Sequence, residues 1–190
     1  MKRIAIFASG SGSNAENIAN YFESNNNVEV SLIVANNPNA YVIERAKKLG
    51  IPCKVVTKSD FMAADPIIAL MQEYKIDLIV LAGFLLLVPE KLIEAYPSRI
   101  VNIHPALLPK HGGKGMYGDR VHKAVVECGD TESGITIHLI DAEYDKGTTF
   151  FQAKCPVLPT DTPDDVATKV HALEYEHFPH VIEEILQQID

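Results

Sequence analysis

Asn102-Ile103-His104-Pro105 places an amide two residues from an imidazole, directly after Arg99-Ile100-Val101. Ile100 to Ile103 reads as a strand. Side chains alternate faces along a strand, so residues 102 and 104 project to the same side at its end. A neutral hydrogen-bond donor then stands beside a proton carrier. That pair suits reactions in which negative charge develops on an oxygen while a proton moves. The competing account is a polar strand end with no chemistry, and the rest of the chain decides between the two.

A second feature precedes the first helix. Ser9-Gly10-Ser11-Gly12-Ser13-Asn14 follows the strand Lys2 to Ala8 and opens a helix over Ala15 to Phe22. Free backbone amides and the helix dipole favour an anion there, glycines allow close approach, and Ser13 and Asn14 add side-chain donors. The turn lacks the dinucleotide fingerprint. Ala15 stands three residues after Gly12, and Val34-Ala35-Asn36-Asn37 offers no ribose-binding acid. No Gly-Lys-Ser/Thr sequence marks a Walker loop. One phosphate monoester is the expected ligand, against the alternative of a plain tight turn.

These features need a scaffold, and the patterning supplies one. Val28 to Ala35, Cys53 to Thr57 and Leu78 to Ala82 read as strands. Tyr41 to Leu49, Asp65 to Tyr74 and Pro89 to Tyr96 read as helices between them. Gly50 is placed to end one helix and Pro66 fits a first turn. The unbroken apolar run Leu78-Ile79-Val80-Leu81-Ala82 marks a strand covered on both faces. The alternation predicts an α/β fold with a doubly wound, mostly parallel sheet. Beyond Asp119 the expectation is a helix over Arg120 to Cys128, and a half-exposed strand over Gly134 to Ile140. Thr148 to Ala153 is its antiparallel partner, and a long or bent helix runs over Asp164 to Gln188. With no repeat or linker in view, residues 1–190 are expected to form one domain. The loop over Asp141-Ala142-Glu143-Tyr144-Asp145-Lys146-Gly147 joins the late strands. Asp145 is either a turn residue or a carboxylate that favours the charged form of His104.

Composition narrows the function classes. The net charge is −8, with Lys and Arg scattered, which argues against a nucleic-acid binder. Cys53, Cys128 and Cys155 are odd in number and contain no CxxC, so neither a zinc site nor a disulfide framework is expected. No signal peptide and no apolar stretch of ~20 residues is evident. A cytoplasmic protein with no membrane partner is expected.

Taken together, these residues resemble the phosphoribosylglycinamide formyltransferases, the folate-dependent glycinamide ribonucleotide transformylases of purine synthesis. The resemblance runs through Gly10-Ser11-Gly12-Ser13-Asn14, Leu81-Ala82-Gly83-Phe84 and Asn102-Ile103-His104-Pro105-Ala106-Leu107-Leu108-Pro109. It continues through Ile137-His138 and Tyr144-Asp145-Lys146-Gly147. It implies Asn102, His104 and Asp145 as a catalytic trio, Gly12, Ser13 and Asn14 as a phosphate cradle, and Glu174 as a contact to the ribose. It implies a folate site from Leu85, Leu86, Leu87, Val88, Asn102, Asp141, Ala142, Glu143 and Tyr144. The co-substrate implied is 10-formyltetrahydrofolate, with no metal. The expected partners are thus two small molecules, and a homodimer is left open. A formyltetrahydrofolate hydrolase and a non-catalytic nucleotide-binding module are the rivals.

Two departures stand out. Some family members carry Arg where Leu86 stands and a basic residue near Asp60, so no charged clamp on the folate tail carries over. The stretch His111-Gly112-Gly113-Lys114-Gly115-Met116-Tyr117-Gly118 is longer and richer in glycine than the family segment, fitting either a mobile lid or an ordinary surface loop.

Overall fold

A computed structural model describes residues 1–140 and 147–189. Seven strands form one sheet in the order β3-β2-β1-β4-β5-β6-β7. They are β1 (Lys2–Ala8), β2 (Val28–Ala35), β3 (Cys53–Val55), β4 (Leu78–Leu81), β5 (Ile100–His104), β6 (Glu132–Leu139) and β7 (Thr149–Pro156). Strands β1 to β5 pair in parallel, whereas β6 and β7 run antiparallel as the expected hairpin.

Period-two alternation divides the core between the two faces of the sheet. Ile4, Ile6 and Ala8 join Ile33, Ala35, Val101 and Ile103 on one face. There they pack against α1 (Ser13–Phe22), α2 (Val42–Leu49), α6 (Asp119–Glu127) and α7 (Pro163–Gln188). Ala5 and Phe7 join Leu32, Val34, Ile79 and Leu81 on the other face, under α3 (Lys58–Ala63), α4 (Asp65–Glu73) and α5 (Glu90–Ala95). Edge-to-face contacts of Phe7 with Phe61 and Phe84, at ring separations of 6.2 and 5.4 Å, anchor that second face.

Two expectations change. The region Lys58–Ala63 is helical although no element was expected there. Thr57 caps it by accepting from the Asp60 amide, and the Asp60 carboxylate accepts from the Thr57 hydroxyl. β6 is also not half-exposed: Ser133 to His138 are all buried. The cause is tertiary. β6 lies between β5 and β7, α7 packs on it, and residues 106–108 cross it. The Thr136 hydroxyl donates to the Ala106 carbonyl at 2.7 Å and accepts from the Leu108 amide at 3.0 Å. The half-exposed strand is β7 instead.

The strand order reverses direction between β1 and β4, so the chain leaves these neighbours toward opposite faces. In such sheets a crevice opens beyond the carboxyl ends of the strands. Here the turn after β1, the loop after β4 and the end of β5 meet at that crevice. The Ser9 amide donates to the Gly83 carbonyl at 3.1 Å, and the Leu85 amide donates to the Ser9 hydroxyl at 2.9 Å.

The β6–β7 pairing is closest at Gly134, where an added Cβ would lie 2.0 Å from the Ala153 carbonyl oxygen. Backbone cannot yield as a flexible side chain can. Gly134→Ala should therefore cost about 1–3 kcal/mol, the range for overpacking. In a chain of this size each kcal/mol lowers Tm by about 2–4 °C. A thermal melt with an unchanged midpoint would rule out this close approach.

Candidate active site

The crevice is a cleft of about 760 Å³. One wall is the start of α1. Gly12 is its N-cap at φ +73°, a left-handed conformation that glycine adopts without strain. A Cβ at Gly12 would also lie 2.3 Å from Val42 Cγ2, so both dihedral and space require glycine. The cradle is braced from outside, since Arg45 Nε donates to the Ser11 carbonyl at 2.9 Å and the same guanidinium pairs with Glu16. Ser13 and Asn14 line the cleft.

Asn14 also joins two elements. Its Nδ2 donates to Glu174 Oε2 at 2.9 Å, linking the first helix to the last. Glu174 is only 5% exposed. A buried carboxylate costs several kcal/mol unless paired. It has two partners here, Asn14 and His171, whose Nδ1 lies 3.0 Å from the same Oε2. The hydrogen bond to Glu174 raises the His171 pKa above its ordinary 6.5, against burial, which lowers it. His122 lies beside them, with ring centroids 6.0 Å from His171. It is 1% exposed, its Nδ1 has no hydrogen-bond partner among the described residues, and burial pushes its pKa down. His122 and His171 both line the cleft. Neither stood out in the sequence, because each occupies a helix and α6 meets α7 only in the folded chain.

Strand β5 supplies the second wall. Asn102 and His104 both line the cleft, as their i, i+2 spacing requires. Asn102 sits opposite His138 in the antiparallel β5–β6 register, and its Nδ2 lies 3.0 Å from His138 Nε2. With the amide as donor, Nε2 accepts and one Asn102 N–H remains for a ligand. His138 was legible only as part of the Ile137-His138 match, because its role depends on the hairpin register. His104 is 4% exposed and its Nε2 donates to the His111 carbonyl at 2.8 Å.

The third wall is the loop after β4. Leu85, Leu86, Leu87 and Val88 line the cleft, and Leu85 and Leu87 are 50% and 39% exposed. Large aliphatic side chains held at the mouth of a cleft suit a flat aromatic ligand. Asp60 is used as the capping partner of α3. Among the described residues that line the cleft, Arg120 is the one Arg or Lys, and its guanidinium stacks over Tyr117 at 4.8 Å. Asp141, Ala142, Glu143, Tyr144 and Asp145 lie outside the described residues. Among the described residues no group of three or more His, Cys, Asp or Glu is placed to hold a metal ion, and no helix is long and apolar enough to cross a membrane.

Comparison with known proteins gives a consistent set. Residues 2–182 match the family model described as formyl transferase. The chain is 39% identical to the chloroplastic phosphoribosylglycinamide formyltransferase of Arabidopsis thaliana, over 98% of this chain and 66% of that protein. It therefore spans just under two thirds of the length of that plant relative. It is 34% identical to the phosphoribosylglycinamide formyltransferase of Haemophilus influenzae, over 96% of this chain and 86% of that one. The crystal structure of phosphoribosylglycinamide formyltransferase from Streptococcus pneumoniae superposes with a TM-score of 0.87 at 35% identity, covering 98% of this chain and 99% of the other.

The His171–Glu174 pair makes a pH-dependent contribution to stability. The His171 pKa is raised on folding, so the contribution is complete below the unfolded value and lost as pH rises through the folded one. His171 is about half exposed, and solvent screening keeps the effect below about 1 kcal/mol. Urea unfolding of His171→Gln should show a deficit against the parent protein below the ordinary histidine value of 6.5 that disappears once the pH has risen past the raised folded value. An equal deficit at both ends would show that the pair carries no charge-dependent stability.

Proposed function

The chain belongs to the formyl transferase family, and we propose that it transfers the formyl group of 10-formyltetrahydrofolate to the amine of 5'-phosphoribosylglycinamide, yielding formylglycinamide ribonucleotide for purine biosynthesis. One observation carries the reading. Asn102 and His104 stand in the same cleft as the glycine-rich start of α1 and the exposed Leu85 and Leu87. The proposed unit is one domain over residues 1–190, in the cytoplasm, with two small-molecule substrates, no nucleic-acid partner and a homodimer as the assembly.

In this assignment the backbone amides at Gly12, Ser13 and Asn14 hold the phosphate, with the α1 dipole behind them. Glu174 accepts from the ribose hydroxyls, which suits a carboxylate oriented by Asn14 and His171. Leu85 to Val88 and residues 141–144 hold the folate ring. The amine nitrogen bonds to the formyl carbon, and the carbonyl π pair moves onto oxygen. The second N–H of Asn102 and the His104 imidazolium donate to that oxygen, which develops charge in the transition state. As the oxygen re-forms its double bond, the bond from carbon to the folate nitrogen breaks. A water held by Asp145 relays the proton from the attacking amine to that nitrogen, so the carboxylate stays ionised and favours the charged form of His104. The products are a formamide and tetrahydrofolate, and protons balance without an outside reductant or oxidant.

Titration calorimetry with glycinamide ribonucleotide, followed by an absorbance assay for tetrahydrofolate release, separates the alternatives. Binding plus amine-dependent release is expected. Release without the amine means a hydrolase, and binding without release means a non-catalytic module. In the same assays, Ser13→Ala with Asn14→Ala should weaken the ribonucleotide more than the folate, and equal weakening of both would remove the cradle assignment. Because Asn14 also holds Glu174, this comparison is made on protein shown to be folded by its melt.

His104→Ala should lower turnover by about 10²–10⁴-fold, the usual contribution of a positioned proton carrier. Asp145→Asn should also be costly, and the double variant scarcely worse than the worse single one, since groups that act as a unit are not additive. Losses that multiply would show that Asp145 acts apart from His104.

A further inference from the structure

The mechanism above uses His104 but leaves open what fixes its ring. The His104 Nε2 proton is donated to a backbone carbonyl, that of His111, at 2.8 Å. A carbonyl only accepts, so the neutral ring carries its proton on Nε2. His111 lies in the glycine-rich connection between β5 and α6, where backbone alone gives a poor anchor. It has φ +52°, left-handed for a residue with a side chain.

The anchor is the His111 side chain. Its Nε2 donates to Asp130 Oδ2 at 2.6 Å, with both side chains largely covered at 13% and 16% exposure. Asp130 lies between α6 and β6, just before the strand that pairs with β5. Its other oxygen, Oδ1, is 3.4 Å from Lys110 Nζ. The hydrogen bond from His111 holds the Asp130 carboxyl below the usual carboxylate range, so it stays ionised and accepting at neutral pH. One line of contacts thus runs from Asp130 through the His111 ring and main chain to His104. Neither Asp130 nor His111 lines the cleft, so neither touches substrate.

We propose that Asp130 and His111 are positioning residues that lock the His104 imidazole as its Nε2–H form, making Nδ1 the nitrogen whose N–H the charged ring donates to the formyl oxygen during transfer. The inference rests on the function proposed above for its catalytic consequence, but not for its structural one. A locked ring cannot rotate to exchange its two nitrogens, and the donor stays aimed without reorganising during the reaction. Misplacement of such a group by about 1 Å can cost about a hundredfold in rate.

Three variants test it: Asp130→Ala, His111→Gly and the two combined. His111→Gly is informative because glycine accepts the observed φ without strain, while the tie to Asp130 is lost. Two readouts are needed. Nitrogen-15 spectra of labelled histidines report the ring form directly, and steady-state kinetics report its effect. The parent protein should show the Nε2–H form at His104 above the titration of its ring. Either single variant should give a mixture of both ring forms. kcat should fall about ten- to a hundredfold with KM for each substrate within about threefold, and the double variant should match the singles.

An unchanged ring form in the variants overturns the proposal whatever the rates do. A changed ring form with normal kcat overturns its catalytic half. Should Asp130→Ala fail to fold, His111→Gly decides alone by the same measures. If the protein transfers no formyl group at all, the proposed function fails while the spectra still decide whether His104 is locked.

Discussion

The reversal of winding between β1 and β4 is the constraint on which the site depends. Parallel strands with helices on both faces bury their backbone groups, except where adjacent strands send their chains to opposite sides. At that point the loops must diverge, and a crevice opens that packing cannot close. Three carboxyl-end segments border it, from β1, β4 and β5. The bonds of Ser9 to Gly83 and Leu85 hold the first two together. The amide, imidazole and glycine-rich turn are therefore neighbours because of topology, although ninety residues of sequence separate Asn102 from Gly12.

Charge in the cleft is handled locally. The chain as a whole is acidic, yet its proposed substrates are anions. Long-range attraction does not help, and screening at ordinary salt limits surface charge to about 8–10 Å in any case. What favours an anion is short-range: the amides at the start of α1, of which that of Ser13 reaches the Ser11 hydroxyl at 3.5 Å, and the Arg120 side chain. The buried carboxylate of Glu174 is separated from that role by Asn14, whose amide neutralises part of its field and ties α1 to α7. Specificity in this arrangement comes from hydrogen-bond direction more than from net charge.

Local patterns were legible where local physics decides. The alternation of Ile4, Ala5, Ile6 and Phe7, the run at Leu78 and the glycine at position 50 specify strands and a helix end through chain geometry alone. The i, i+2 spacing of Asn102 and His104 was enough to place both in the cleft, and Glu174 was reached through the family resemblance. What sequence could not supply was pairing across long separations. His138 matters through its register with Asn102, His122 through its approach to His171, and Asp130 through His111. The burial of β6 likewise depends on residues 106–108 crossing it, so its alternation read as a half-exposed face. The helix at Lys58 was missed although its signal, Thr57 followed by Asp60, is local.

The contact between Asn14 and Glu174 joins positions 160 residues apart. On a ribosome, the glycine-rich turn emerges well before Glu174. The cleft is consequently completed only when α7 docks against α1. A chain cut short before α7 would keep most of its sheet-forming segments and its anion-binding turn, yet present that turn without its closing wall. Such a fragment would lack the apolar cover that Val166, Val170, Phe178 and Ile182 give one face of the sheet, making it prone to association. Completion of the cleft and protection of the sheet from aggregation are thus a single event, governed by one helix.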